Sequence, residues 1–117
     1  MVAHERLICA SQDLADGGPG LRFEVDEKGH TTPAPAFAIR WRGQVYAYLN
    51  RCGHIPVELD WQPGEFLDPS GQFLICSTHG ALYDPATGAC RAGRCEGRGL
   101  VALPVEERQG HVYCKGI

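Results

Sequence analysis

The chain has 117 residues, which is enough for one domain with one modest hydrophobic core. Its 11 Lys and Arg residues against 14 Asp and Glu residues give a formal net charge of -3, which argues against a global basic field for nucleic acid or anionic lipid. No export signal is evident, and no apolar segment approaches the roughly 18 residues that a membrane-spanning helix needs. We therefore expect one soluble domain over residues 1–117, located in the cytoplasm.

The strand-like segments are short, because 15 glycines and 8 prolines divide the sequence at frequent intervals. Clusters of these residues predict loops at positions 15–20 and 31–35. Side chains alternate along residues 37–41 and 45–49, on either side of a turn at Arg42-Gly43. This pattern predicts a β-hairpin that delivers the chain to residue 51.

The second half of the sequence also has a strand-and-turn pattern. Residues 66–75 predict a hairpin around a turn at 68–71, and this hairpin runs directly into Cys76. A further turn is predicted at 84–88, and a closing strand pair surrounds Gln109-Gly110. No segment has a sustained helical period, so the sequence predicts a mainly β fold of antiparallel strands.

Cysteine and histidine occur in two short motifs that each follow a predicted strand. The first is Cys52-Gly53-His54, and the second, after 21 intervening residues, is Cys76-Ser77-Thr78-His79-Gly80. Each motif supplies one thiolate and one imidazole, and loops on neighbouring hairpins can face each other across a small space. Four ligands of this kind suit iron–sulfur or zinc.

These motifs resemble the Rieske family, whose mark is C-x-H followed at a distance by C-x-x-H and a glycine. The downstream Asp84-x-x-x-Gly88 turn also matches, and the resemblance extends from about Leu7 to the end of the chain. It implies an antiparallel Rieske-type β-sandwich or barrel with a small cluster-binding subdomain at about residues 50–84, made of two loops on β-hairpins. It also implies one [2Fe-2S] cluster per chain, in which Cys52 and Cys76 bind one iron and His54 and His79 the other.

The resemblance also bears on the reduction potential. Two neutral imidazoles in place of two thiolates raise the potential to roughly -150 to +300 mV, from about -400 mV in plant-type ferredoxins. High-potential members have a disulfide between the two ligand loops and a serine after the second His-Gly, where this chain has Ala81. Tyr83 matches a tyrosine whose hydroxyl donates to a ligand cysteine in those members. The resemblance thus places Gly80 and Tyr83 in the immediate surroundings of the cluster. We expect a low to intermediate potential.

The resemblance implies a one-electron carrier that catalyses nothing alone. Its partners would be a flavoprotein reductase and a terminal oxygenase of the ring-hydroxylating dioxygenase type, and the chain would be a monomer. One alternative is the small component of a nitrite reductase-like system. Another is a zinc-binding structural module, since two Cys and two His also satisfy tetrahedral zinc. A redox or iron–sulfur sensor is a third alternative.

Two segments depart from the expected pattern. Residues 59–65 lengthen the spacer between the motifs, and we interpret them as a longer surface loop, with a partner-specific face as the alternative. Residues 89–98 lack the proline found in many family members and carry Arg91, Arg94 and Arg98. This segment is either a shield that steers an acidic partner to the cluster or a solvated basic loop.

The remaining cysteines, histidines and tryptophans receive structural interpretations. We expect small core residues at Cys9 and Cys114, and ordinary thiols at Cys90 and Cys95, with mutual pairing as the alternative. We predict that three histidines lie on the surface: His4, His30 and His111. We predict that both tryptophans, Trp41 and Trp61, lie in the core.

Overall fold

The computed structural model describes residues 5–26, 33–51, 58–60, 62, 64–76, 80–93 and 99–115. Within these ranges the chain forms short strands and a single three-residue 3-10 turn, Ser11–Asp13. The strands, in chain order, are β1 (Glu5–Ala10), β2 (Leu21–Val25), β3 (Ala34–Trp41), β4 (Gln44–Leu49), β5 (Leu74–Ile75), β6 (Leu82–Tyr83), β7 (Cys90–Ala92), β8 (Ala102–Leu103), β9 (Val105–Arg108) and β10 (His111–Lys115).

The strands form three sheets in which the paired neighbours are all antiparallel. The sheets have the orders β1-β10-β9, β2-β3-β4-β8 and β5-β6-β7. The prediction of a mainly β, antiparallel fold is confirmed. No helix in the described ranges is long and apolar enough to cross a membrane.

The predicted hairpin at 37–49 is confirmed as strands β3 and β4. Arg42 and Gly43 connect them with φ values of 51° and 81°. Two consecutive positive φ values are typical of the tight hairpin turn whose twist matches that of the flanking strands. The arginine accepts this conformation, and its guanidinium lies 4.4 Å from the centre of the Trp41 ring.

The β2-β3-β4-β8 sheet separates two hydrophobic cores. One face of the β3–β4 pair carries large side chains such as Phe37 and Tyr48, which pack toward the β5-β6-β7 sheet. The other face carries Ala38 and Ala47, which pack toward β1 and β10. Because side chains alternate across a strand, one hairpin serves both cores. This is a sandwich arrangement in which β3 and β4 are buried on both faces.

The start of β3 differs from the prediction of a loop at 31–35. Ala34 and Pro35 belong to β3 and pair with Val25 and Glu24 of β2, whereas residues 31 and 32 lie outside the described ranges. Proline is tolerated here because it lies near the first residue of the strand. Its carbonyl accepts a hydrogen bond from the Asn50 backbone N–H at 2.8 Å, so the position still contributes to pairing.

The hairpin predicted at 66–75 is confirmed in its pairing but contains little regular strand. Leu67 pairs with Leu74 as an isolated antiparallel bridge, and the Asp68 N–H donates to the Phe73 carbonyl at 2.8 Å. The closing turn is confirmed at Gln109 and Gly110, which join β9 to β10.

Cys9 and Cys114 lie in the core beneath β3 and β4, as predicted, on the paired strands β1 and β10. His111 is exposed, also as predicted, while His4 and His30 lie outside the described ranges. Trp41 is only partly buried, and its indole N–H donates to the Gly71 carbonyl at 3.0 Å. The assignment of residues 1–117 to one domain stays a prediction.

Candidate metal centre

The second predicted ligand motif begins directly after β5, and the structure describes its two ends, Cys76 and Gly80. β5 ends at Ile75 and the chain continues into Cys76, whose backbone N–H donates to the Ala81 carbonyl at 2.9 Å. Across the same loop the Gly80 N–H donates to the Cys76 carbonyl at 2.7 Å. Gly80 has φ 70°, a left-handed conformation that glycine adopts without strain. The backbone N–H and the carbonyl of Cys76 are therefore both hydrogen-bonded. The motif's His79 lies outside the described residues.

Cys76 is fully buried in the core that also contains Phe37. Ala81 and Tyr83 belong to the same core and are also fully buried. Gly93, just after β7, approaches the loop so closely that an added Cβ would lie 2.9 Å from the Ala81 Cα. The Cys76 loop is thus enclosed by protein on its β7 side, which is the setting that a buried cluster ligand requires.

The first predicted ligand motif follows β4, and the structure describes both of its flanks. β4 ends at Leu49, followed by Asn50 and Arg51, and the described chain resumes at Glu58. Cys52 and His54 lie outside the described residues. On the flanks, Asn50, Leu59 and Asp60 are buried and joined by hydrogen bonds, so the two ends of the intervening segment are held together.

The predicted turn at 84–88 is confirmed. The Asp84 carboxylate accepts hydrogen bonds from the Ala86 and Thr87 N–H groups at 2.8 and 3.2 Å, and the Gly88 N–H returns to the Asp84 carbonyl. The Tyr48 hydroxyl, reaching over from β4, donates to the Pro85 carbonyl at 2.7 Å. Burial raises the pKa of Tyr48 far above its ordinary value, so the hydroxyl stays protonated and remains a donor.

The segment at 89–98 differs from the predicted loop. Its described part is 89–93, in which Cys90–Ala92 form strand β7 and Arg91 is exposed. Cys90 is disulfide-bonded, so our expectation of an ordinary thiol there is wrong. Cys95, Arg94 and Arg98 lie outside the described residues.

The interpretation of 59–65 as a surface loop is also wrong for much of the segment. Leu59 and Gly64 are buried, and Asp60 is 7% exposed, while Trp61 and Pro63 lie outside the described residues. Sequence reasoning also missed Asn50. The available signal was a polar residue two positions before the first predicted ligand cysteine, together with an Asp-x-x-x-Gly spacing after it.

The part of the chain that the structure describes contains one member of the predicted ligand set, Cys76, and no group of three or more metal-ligating side chains. The surroundings of Cys76 fit a cluster ligand, because its sulfur forms no disulfide and its loop is closed, glycine-assisted and enclosed. Its three proposed companions are the soft and borderline donors that iron–sulfur centres use.

Comparison with known proteins gives a family match and a set of solved structures with a similar fold. A family model described as the Rieske [2Fe-2S] domain matches residues 4–107. No curated protein gives a significant match.

Solved structures share the fold over nearly the whole chain. A chain from the complex of reduced oxygenase and oxidized ferredoxin in carbazole 1,9a-dioxygenase is 26% identical, with a TM-score of 0.71, covering 96% of this chain and 93% of that one. The ferredoxin of carbazole 1,9a-dioxygenase from Nocardioides aromaticivorans IC177 is 21% identical, with a TM-score of 0.72 and coverages of 97% and 98%. The Sphingomonas yanoikuyae B1 ferredoxin is 24% identical, with a TM-score of 0.67 and coverages of 97% and 99%.

The family match and the shared fold confirm the predicted fold class and the [2Fe-2S] cofactor, and with them the role of an electron carrier. Since the family model spans most of the chain, this protein belongs to the Rieske [2Fe-2S] domain family.

Proposed function

We propose that this protein carries single electrons from a flavoprotein reductase to the terminal oxygenase of a ring-hydroxylating dioxygenase system. The observation that carries the proposal is the end-to-end likeness to ferredoxins of such systems. The chain covers 93% of the matched chain in a complex of oxygenase and ferredoxin, and 98% of a separate carbazole dioxygenase ferredoxin. By contrast, it covers 29% of a matched terminal oxygenase.

In this proposal Cys52, His54, Cys76 and His79 hold the cluster, which supplies one-electron redox chemistry when bound. The described residues contribute position and exclusion of water. The hairpin of β5 and β6 fixes Cys76, and the Ala81 and Tyr83 side chains fill the space beside it. Such packing limits solvent access to the cysteine sulfur, and solvent access is one of the factors that set the potential of an iron–sulfur centre.

The proposal includes a low to intermediate potential. High-potential members place a serine at the position of Ala81, and this side chain is fully buried in the core that contains Cys76. A methyl group there donates no hydrogen bond to sulfur. Because hydrogen bonds to sulfur stabilise the reduced cluster, their loss lowers the potential.

A cytoplasmic location is part of the same proposal. Cys9 and Cys114 are buried thiols outside any disulfide, which is compatible with a reducing compartment, although the disulfide at Cys90 argues in the other direction. Subcellular fractionation of the source cells with an antibody to the chain tests this placement.

Spectroscopy of the purified protein tests the chemistry. We expect a red-brown protein whose visible absorption bleaches with dithionite, with a rhombic EPR signal in the reduced state and a midpoint below the upper end of the Rieske range. A colourless protein that contains one zinc per chain would overturn the proposal in favour of a zinc module.

Reconstitution tests the physiological role. The protein is mixed with a reductase and a terminal oxygenase purified from the same source, and substrate hydroxylation is followed with and without it. We expect product only when all three proteins are present. Full hydroxylation without the ferredoxin, or none with it, would exclude this oxygenase as the electron acceptor.

A further inference from the structure

We propose that Asn50 and Asp60 form a buried clamp that positions the loop bearing Cys52 and His54. The inference rests on the proposed function, since it takes those two residues as cluster ligands. It adds two positioning residues that do not touch the cluster and act through the loop between them.

The Asn50 side chain joins the two ends of this loop. Its Oδ1 accepts a hydrogen bond from the Leu59 backbone N–H at 2.8 Å, and its Nδ2 donates to Asp60 Oδ1 at 3.0 Å. Its own backbone N–H donates to the Pro35 carbonyl on β3 at 2.8 Å. One amide, anchored to the central sheet, therefore fixes residues that lie nine and ten positions further along the chain.

Asp60 extends the clamp to the next turn and to β2. Its Oδ2 accepts a hydrogen bond from the Gly64 N–H at 3.0 Å and lies 3.6 Å from Nε of Arg22 on β2. The Gly64 carbonyl in turn accepts from the Gly20 N–H at 2.8 Å. Both carboxylate oxygens thus have partners, and the loop is fastened to the sheet at both of its ends.

Because these groups are buried, breaking their hydrogen bonds has a high free-energy cost. Asn50 is 1% exposed, Asp60 is 7% exposed, and Leu59 beside them is fully buried. A buried polar group without its partner loses the full hydrogen bond and regains no water, so a clamp with separated ends is strongly disfavoured. The clamp therefore holds the two ends of the ligand-bearing loop in a fixed arrangement before the cluster binds, as preorganised metal sites require.

The donor and the acceptor of the hydrogen bond between Asn50 and Asp60 can be exchanged by substitution, and this exchange tests the proposal. In Asn50→Asp two carboxylates face each other. In Asp60→Asn the new side chain has only one oxygen to accept from the two N–H groups, of Asn50 and Gly64, that Asp60 binds. The double variant Asn50→Asp/Asp60→Asn restores all three hydrogen bonds, with only the bond between positions 50 and 60 reversed in direction. The carboxylate at 50 accepts from the Leu59 N–H and from the amide at 60, whose oxygen accepts from the Gly64 N–H, while the charge contact with Arg22 is lost. Asp16→Asn is the matched control, because the Asp16 carboxylate also accepts a hydrogen bond from a backbone N–H, that of Gly43 at 3.0 Å, but this bond lies at the β3–β4 turn and not in the segments that flank the ligand motifs.

Three quantities are measured on each variant: the rate of cluster release to a chelator, the shape of the reduced EPR signal, and hydrogen exchange at the Leu59 and Gly64 amides. We expect each single variant to release the cluster about tenfold faster, with faster exchange at both amides and an altered EPR signal. The double variant should recover most of each change, and Asp16→Asn should resemble the wild type.

Rescue of the cluster signals is the decisive outcome. Unchanged release and exchange in the single variants would overturn the proposal. It would also be overturned if the variants changed only the unfolding temperature, with the EPR signal of the wild type, because the pair would then be purely structural. If the wild type contains zinc, the electron-carrier proposal fails, while amide exchange and the rate of zinc release still decide whether the clamp positions the loop.

Discussion

The two parts of the molecule are ordered by different means. The scaffold, made of strands β1–β4 and β8–β10, contains the longer ladders, and its inner core is filled mostly by small and branched apolar residues. The cluster region, residues 58–60, 62, 64–76 and 80–93, has strands of two or three residues. Its order comes from side chains that bind backbone groups, as Asp68 and Asp84 do, and from glycines with positive φ.

This difference predicts how each part responds to substitution. In the scaffold many equivalent hydrogen bonds hold each strand in place, so the loss of one contact lowers the free energy of unfolding without changing the geometry around the proposed ligands. In the cluster region one side chain often fixes a whole turn, so its loss changes the geometry around the ligands. Matched substitutions in the two parts should therefore separate fold stability from cluster properties.

The largest expected effect compares two buried cysteines. Cys76→Ala removes a proposed ligand in the cluster region, and we expect complete loss of the visible absorption and of the reduced EPR signal. Cys114→Ala removes the same sulfur from the scaffold core, where burial raises the pKa of the thiol and keeps it protonated. This variant should keep its colour and lose about 1 kcal/mol of unfolding free energy. Retention of a Rieske spectrum by Cys76→Ala would remove Cys76 from the ligand set.

The next effect compares two glycines with similar backbone conformations. Gly88 has φ 77°, and an added Cβ would lie 2.7 Å from Tyr48 Cε1, whereas Gly43 has φ 81° with no atom within 4 Å. Gly43→Ala meets only backbone strain, which costs about 1 kcal/mol. Gly88→Ala adds overpacking, for a total of about 2 to 4 kcal/mol by urea denaturation. Equal losses would mean that the Tyr48 ring moves aside without cost.

Two buried tyrosines give a smaller and more specific contrast. Tyr83, in the cluster region, is 0% exposed, and Tyr48, on the scaffold, is 1% exposed. We expect Tyr83→Phe to lower the midpoint potential by a small part of the family range of about 450 mV, while the cluster stays assembled. Tyr48→Phe leaves the buried Pro85 carbonyl without its donor, so it should lower stability by about 1 to 2 kcal/mol at an unchanged midpoint. A midpoint that shifts equally in both variants would remove the special role of Tyr83.

The sequence predicts what is encoded locally. The β3–β4 hairpin follows from alternating side chains around Arg42-Gly43, and the turn at 84–88 follows from an Asp and a Gly at fixed spacing. The metal motifs are equally local, and their residue types and spacing are sufficient to indicate the family. The structure describes one of the four proposed ligands, Cys76, and the assignment of all four residues as cluster ligands stays a prediction.

What the sequence does not reveal depends on contacts between distant segments. Asp60 belongs to a segment rich in loop-forming residues, and its burial depends on contacts with Asn50, which directly follows β4, and with Arg22 on β2. Strands β5 to β7 are too short to show a period, so their pairing follows from the core around Phe37 and not from their own residues. Pro35 is read as a loop residue because its position at the start of β3 depends on pairing with β2.

The smallest expected effect concerns acid stability of the scaffold. Arg40 binds both oxygens of Glu107 at 2.6 and 3.0 Å, and this bidentate contact lowers the pKa of Glu107 from 4.5 to about 2. Because the folded pKa is depressed, the contact contributes its full stability above about pH 4.5 and loses it as the pH falls toward 2. Glu107→Gln should cost about 1 kcal/mol near neutral pH, and the difference from the wild type should shrink across this window in urea titrations. Glu65→Gln, which removes an exposed carboxylate of the cluster region, is the control. If the difference in unfolding free energy between Glu107→Gln and the wild type stays constant down to pH 2, the ion pair does not stabilise the scaffold.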